Sequence, residues 1–259
     1  MKASGCIVTY NVISSPSKKK IFLKEVEDLM RFTEPDFKLY IVDNASPDGT
    51  GEYLKKEYAS KEHIEVIANK ENIGFGKAHN QIMDELESDY HFIINPDILI
   101  KDDVIGKMCA FMEENAGCGM ASPDIRFPNG NRQVLAKKNP KLKYLVASRL
   151  SSDRENNNLL REYAMLDSDL SVPQRIENAS GCFIGIRTDL FKKLGGFDDR
   201  FFMYFEDYDL ARRVNKLSEI WYCPQAVVFH EWGRDSKRST KLMMIHIQST
   251  LKYFMKWGL

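Results

Sequence analysis

Two stretches of this chain place polar groups at the end of an apolar run, and both could do chemistry on a charged substrate. Tyr90–Asp97 reads Tyr-His-Phe-Ile-Ile-Asn-Pro-Asp. Its centre, Phe92-Ile93-Ile94, has the length and composition of a buried strand. Pro96 has no amide hydrogen with which to continue a sheet ladder, so the strand stops there and leaves Asn95 and Asp97 at its carboxyl end. An aspartate at that end can hold a hard divalent cation through oxygen, and the cation can clamp a diphosphate. The second stretch is Glu206-Asp207, which follows Phe201-Phe202-Met203-Tyr204-Phe205. An apolar wall of that kind raises a carboxylate's pKa and makes it a better proton acceptor.

The elements that must position these groups alternate along the first half. Gly5–Asn11 reads as a buried strand with Thr9 and Asn11 at its exit, followed by a polar loop over Ser14–Lys20. Ile21, Phe22, Val26, Leu29 and Met30 predict a helix to about Phe32, ended by Glu34-Pro35. Strand 39–42 runs into Asp43–Thr50, a cluster of turn formers in which Asp48 or Thr50 can cap a helix through Tyr58. Strand 64–67 leads to the loop Asn69–Gly76 and a helix carrying Ala78, Ile82, Met83 and Leu86. After Asp97, Asp102-Asp103 opens another helix, and strand 118–122 closes this half. The β-α-β-α order predicts an α/β fold with a mostly parallel, Rossmann-like, doubly wound sheet.

The second half is less regular. Phe127–Gly130 is a tight turn. Residues 131–174 carry little pattern, with a polar, mobile loop over 153–158 between short helices. Pattern returns at Ile176–Arg187. Thr188 is expected to cap a short helix stopped by Gly195-Gly196. A helix over Glu206–Leu217, two short strands at 221–223 and 227–229, and an amphipathic helix over 239–257 complete the chain. This gives a domain at 1–235, with a nucleotide-binding half (1–123) and an acceptor half (124–235), and a terminal helix at 236–259.

Composition narrows the function classes. With 37 basic and 37 acidic residues the formal charge is zero, which argues against a general nucleic-acid binder. The five cysteines form no CxxC pair, so reduced thiols in a cytoplasmic protein are expected. No apolar run approaches membrane-spanning length. The expectation is a soluble protein, resting at most on the inner face of a membrane.

Taken together, the motifs resemble the inverting glycosyltransferases of family 2, with the GT-A fold, and most of all their bacterial rhamnosyltransferase branch. They are Ile7–Asn11, Val42–Ser46, Asn72–Gly76 with Ala78-His79-Asn80, Asn95-Pro96-Asp97, Ala179–Phe183, Gly195–Asp198, Phe205–Leu210 and His230. The resemblance implies that a nucleotide-diphospho sugar is held by Thr9, Tyr10, Asn11, Asp43, Asn44, Ser46, Asn72, Gly74, Phe75, Gly76, Asn80, Asn95 and Pro96. Asp43 would accept from a pyrimidine N3–H, and the glycines before the 78–86 helix would let phosphate approach its amino end. Ser180, Gly181 and Met203 would lie beside the sugar and acceptor. Asp207 would be the general base and Glu206 its helper, with Asp209 a support. Asp97 and His230 would hold Mg²⁺ or Mn²⁺. The family's acidic motif is usually Asp-x-Asp, and here its first position is Asn95.

The donor implied is dTDP-L-rhamnose and the acceptor a glycan or a polyprenyl-linked sugar, in bacterial surface polysaccharide synthesis. A UDP-hexose donor, a sugar nucleotidyltransferase and a non-catalytic binding subunit are the alternatives. A hydride-transferring oxidoreductase is disfavoured, because the glycine motif lacks the third glycine of a dinucleotide fingerprint. The terminal helix, flanked by Lys237, Arg238, Lys241, Lys252 and Lys256, would pack on the domain or a second subunit, or touch anionic lipid.

Overall fold

The computed structural model describes residues 2–135, 137–151, 153, 155–231 and 239–258. Lys237, Arg238, the 235/236 boundary and Arg154 of the polar 153–158 stretch lie outside them.

Strand β1 (Ala3–Thr9) is buried along its whole length, as a central parallel strand covered on both faces must be. Around it β2 (Lys38–Asp43), β3 (Ile64–Ala68) and β4 (Tyr90–Ile94) run parallel in the order β3-β2-β1-β4. The chain therefore moves outward from β1 to β3 and then returns to its other side. That reversal opens a crevice at the carboxyl ends of β1 and β4, where α/β sheets bind ligands. Beyond β4 the sheet continues β8 (Phe183–Arg187), β6 (Cys118–Arg126), β9 (Glu219–His230) and β5 (Ile98–Leu99), with β7 (Gln174–Ile176) on β9. Here β4–β8, β6–β8, β5–β9 and β7–β9 are antiparallel and β6–β9 parallel, so the fully parallel part of the sheet is the first half.

Helices cover both faces. One core joins α1 (Pro16–Phe32), α2 (Thr50–Glu57) and α4 (Val104–Glu114) to the sheet through Phe22, Leu29, Leu54 and Met108. The other joins α3 (Phe75–Asn80), α7 (Thr188–Lys193) and α8 (Glu206–Val214) through Ala78, Phe191 and Leu210. Helices α5 (Leu142–Leu150) and α6 (Asn158–Ala164) pack on each other, with Tyr144 and Tyr163 stacked at 4.6 Å. The last helix, α9 (Thr240–Trp257), seats Tyr253 in a cluster with Phe201 and Phe205.

Several boundaries differ from the sequence expectation. Helix α1 starts at Pro16, not near Ile21: Ser15 caps it by accepting from the Lys18 amide at 3.3 Å, and its first turns are too polar for apolar spacing to reveal. The expected 78–86 helix is α3 followed by a separate 3₁₀ turn at Met83–Glu85. Thr188 is the first residue of α7 and does not cap it, and α8 stops at Val214. The two expected strands near Pro224 are one strand, β9, whose pairing jumps from Cys223 to Val227. Asn157 caps α6, and Asn156 donates to Asp153 at 2.6 Å, which gives two of the three consecutive asparagines local bonds.

Candidate active site

The carboxyl ends of β1 and β2 meet at Asp43. Register sets Thr9 opposite Asp43, and Thr9 Oγ1 donates to Asp43 Oδ1 at 3.1 Å. The Ser46 hydroxyl donates to the same oxygen, and the Ser46 amide donates to Oδ2 at 3.1 Å. Ser46 Oγ in turn accepts from the Asn11 amide at 2.8 Å. The buried Asp43 carboxylate is thus oriented by three donors, with about one of its four acceptor positions left for a ligand. Asn11 Oδ1 is buried without a partner, and the Tyr10 side chain is half exposed beside it. Asn11 (φ 58°) and Ala45 (φ 59°) both hold left-handed backbone, as do Tyr204 (φ 68°) and Phe205 (φ 69°) across the site. Those four make up all but one of the non-glycine positive-φ residues among the described residues, and such strain concentrates where geometry serves a function.

The 72–76 loop, expected to lie at a phosphate, is held largely by hydrogen bonds within the chain. The Ile73 amide donates to Asn44 Oδ1 (3.1 Å), the Gly74 amide to Asn72 Oδ1 (3.1 Å) and the Phe75 amide to the Phe202 carbonyl (2.8 Å). Three of the loop's amides are thus bonded internally, which fixes the turn into the six-residue α3. The glycines serve close packing: a Cβ on Gly74 would lie 2.4 Å from Phe202 O, and one on Gly76 2.8 Å from Phe197 Cβ. Asn44 organises the loop, donating to Asn72 Oδ1 (3.0 Å) and the Gly74 carbonyl (3.1 Å). Asn80 braces the second half, donating to Phe197 O at 2.9 Å and accepting from the Phe197 amide at 2.8 Å. Asn44 and Asn72 therefore brace the 72–76 loop, and Asn80 braces the turn at Phe197.

Antiparallel pairing of Ile98 with His230 brings the metal candidates together. His230 Nε2 stands 3.3 Å from Asp97 Oδ1, within ion-pair range though not aligned as a hydrogen bond. Burial lowers the His230 pKa, but the Asp97 carboxylate and the Cys182 thiol outweigh it and raise it to about 10. Gln133 fixes the ring: its side-chain Oε1 lies 3.2 Å from His230 Nδ1 and its Nε2 donates to the His230 carbonyl at 2.7 Å. An oxygen and a nitrogen ligand side by side, one a buried oxygen lacking a partner, fit a divalent cation that would replace the imidazole proton. Among the described residues no three His, Cys, Asp or Glu side chains converge, so phosphate and water would complete the shell, as Mg²⁺ sites often require. Glu25 on α1, fully buried, has no hydrogen-bond partner for either oxygen. Burial and the charge of Asp97 push its pKa well above the carboxylate range, which keeps it neutral beside Asp97.

The acid pair opens α8. Asp207 Oδ2 accepts from the Gly181 amide at 3.0 Å and Oδ1 from the Tyr208 amide at 2.8 Å. A Cβ on Gly181 would sit 3.2 Å from Asp207 Cβ, close enough to press the acid back by a few tenths of an ångström. Glu206 is buried and its Oε2 has no partner. Burial, then the charge of Asp207, pushes Glu206 up to about 8; burial raises Asp207 as well, against two amide donors that favour its charge. The two amide donors favour charge on Asp207, so within the pair a proton is held more readily by Glu206. Residues 181–182 tie this pair to the other motif, because the Asn95 amide donates to the Cys182 carbonyl at 2.9 Å. Asn95, Pro96, Ser180 and Met203 are each part-buried. Asp209 is a support as expected: fully buried, it pairs with Arg213 (2.7 Å) and Lys256 (2.5 Å) and accepts from Trp257 (2.8 Å).

Sequence reasoning missed Gln133 and Glu25. Gln133 lies in the patternless 131–174 stretch, and nothing nearby announces a ligand-positioning residue. Glu25 is an acid on the apolar face of α1, a local inconsistency that could have drawn notice.

The sequence model of Glycosyl transferase family 2 matches residues 4–195. The chain belongs to that family. This glycosyltransferase is 26% identical over 222 residues to the N-acetylglucosaminyl-diphospho-decaprenol L-rhamnosyltransferase of Mycobacterium tuberculosis, a match covering 80% of this chain and 70% of the relative. Among solved structures it resembles GalNAc-T7 with UDP, GalNAc and Mn²⁺ (TM-score 0.68, 13% identity), covering 97% of this chain and 48% of that one. It also resembles the mannosyltransferase PcManGT of Pyrobaculum calidifontis with GDP-Man and Mn²⁺ (TM-score 0.63, 14% identity), covering 98% of this chain and 64% of that one. These likenesses carry the fold: the glycosyltransferase has the GT-A α/β architecture.

Proposed function

We propose that this glycosyltransferase transfers L-rhamnose, with inversion, from dTDP-β-L-rhamnose to a polyprenyl-diphosphate-linked sugar in bacterial cell-envelope polysaccharide synthesis. The reading is supported chiefly by Asp207, a carboxylate aimed by the Gly181 amide and flanked by a buried Glu206 whose pKa is pushed up to about 8. The acceptor hydroxyl loses its proton to Asp207 as its oxygen bonds to the anomeric carbon. The bond from that carbon to the diphosphate breaks on the opposite side, and its electron pair leaves with dTDP. One displacement turns the β-linked donor into an α-linked product. Asp43, Thr9 and Asn11 orient the base and ribose, and Tyr10 offers a face for stacking. Asp97 and His230 would hold Mg²⁺ or Mn²⁺, which would supply Lewis acidity toward the departing diphosphate. The rhamnose assignment follows the Mycobacterium relative, whose name also specifies the lipid-linked acceptor class.

A donor screen tests this reading. Thermal shift with dTDP-rhamnose, UDP-hexoses and GDP-mannose, each with Mn²⁺ or EDTA, should show the largest stabilisation for dTDP-rhamnose with metal. NMR of the transferred sugar should show an α-linkage. Stabilisation by a UDP-hexose alone would replace the donor, and a β-linked product would remove the inverting mechanism.

A further inference from the structure

Helix α9 has two apolar faces, and only one of them is covered. Tyr253 and Ser249 face the domain, where Ser249 Oγ donates to the Met203 carbonyl at 2.8 Å and Tyr253 joins Phe201 and Phe205. On the opposite side Met244, Ile247, Leu251 and Met255, spaced three or four residues apart, form an exposed stripe in which Met255 is 86% accessible. Helix α5 lies alongside: Leu145 packs in the same cluster, and Arg149 contacts Met243 Sδ at 3.3 Å. Its Leu142, Val146 and Leu150 are exposed at i, i+4 and i+8, Leu150 to 81%. Of the twelve large apolar side chains exposed among the described residues, seven lie on these two helices.

The charges on the two helices themselves are of one sign. The two helices carry Lys143, Arg149, Lys241, Lys252 and Lys256 and no acid, within a chain whose formal charge is zero. Lys143 and Lys256 pair with Glu162 and with Asp198 and Asp209. Lys252 donates to the Arg200 carbonyl at 2.7 Å and keeps its charge without an acid partner among the described residues, and Lys241 borders the apolar stripe. A second copy of the chain would set these basic edges against each other in a two-fold pairing of the same surface. An anionic bilayer meets both features, taking the apolar side chains at the headgroup boundary and the cations at the phosphates.

We infer that α5 and α9 together form a membrane-docking face for anionic lipid, one that lies against the Phe201–Phe205 wall next to Asp207. This inference does not depend on the identity of the donor. It is tested by co-sedimentation of the full chain with phosphatidylglycerol-rich vesicles and with pure phosphatidylcholine vesicles. The wild type should pellet with the former, less so at high salt. Leu251→Glu with Met255→Glu, and separately Leu150→Glu, should each reduce partitioning by roughly tenfold while leaving the thermal melt and dTDP affinity unchanged. Absence of binding to the anionic vesicles, or binding that survives both variants, would overturn the inference. So would analytical ultracentrifugation showing a dimer that these variants dissociate, in a protein that ignores vesicles. Because dTDP affinity is read on the same preparations, failure here leaves the catalytic reading standing.

Discussion

The assignment of base and helper rests on donors. Asp207 accepts two amide hydrogens, whereas Glu206 Oε2 accepts none, so a proton shared by the pair settles on Glu206. Glu206→Gln should therefore stabilise the protein at alkaline pH. The folded-state pKa of Glu206 is raised from 4.5 to about 8, so between those values the folded chain binds the extra proton. Wild-type stability accordingly falls as pH rises through that window, by at most about 1.4 kcal/mol for each pH unit traversed. The glutamine variant lacks this term, and urea melts at pH 5 and pH 8 should show its advantage only at pH 8. An equal difference at both values would reject the assignment. The acid pair was legible in sequence because two adjacent acids after five apolar residues form an unusual local pattern. Gln133 was not legible, since its role depends on a contact with His230, 97 residues away.

At the scale of elements, the first four strands could be read directly: β1, β2 and β4 are buried apolar runs between turn formers, and the half-buried edge strand β3 still carries Ile64, Val66 and Ile67. Helix boundaries set by polar caps were less accessible, as at Ser15, and so was the α5–α6 pair, whose contact is a small cluster of Tyr144, Ala147, Leu160 and Tyr163 rather than a long periodic face. The turn into α3 yields two predictions. Gly74 holds φ 92° and ψ 165°, a region that only glycine enters readily, with Phe202 O where a Cβ would sit. Gly74→Ala should cost at least about 2 kcal/mol in urea melts and should weaken dTDP binding, because it separates the 72–76 loop from the Phe202 backbone. A variant with wild-type stability would show that this contact is not made. Within α3, His79 is fully buried between Phe75 and Phe197, with neither ring nitrogen bonded. Burial, followed by the nearby His91, lowers its pKa well below 6.5. A histidine held neutral in the fold loses stability as pH drops below its unfolded value. His79→Leu should add about 1 kcal/mol at pH 7.5 and a larger margin at pH 5.5, measured by urea melts. A margin that narrows at the lower pH would contradict this.

The whole molecule divides labour across one sheet. Parallel strands β1, β2 and β4 bring Asp43 and Asp97 to the carboxyl edge of the sheet, where the proposed nucleotide site lies. The antiparallel extension through β8 and β9 brings Gly181 and His230 to meet them, and α8 delivers Asp207 from the other half. The two halves join through residues 181–182 and through the 72–76 loop against Phe202. Such long-range closure was legible only as a set of motifs in order, since no local signal says that Gly181 touches Asp207. If the halves act as described, binding and chemistry must separate on mutation. The measurement that tests this most directly is turnover of dTDP-β-L-rhamnose by Asp207→Asn, with donor affinity taken from calorimetry on the same protein. The account predicts affinity within about twofold of wild type and turnover reduced by roughly 10²–10⁴-fold, the usual contribution of a positioned base. An Asp207→Asn enzyme that keeps most of its turnover, or loses donor affinity in proportion, would contradict it.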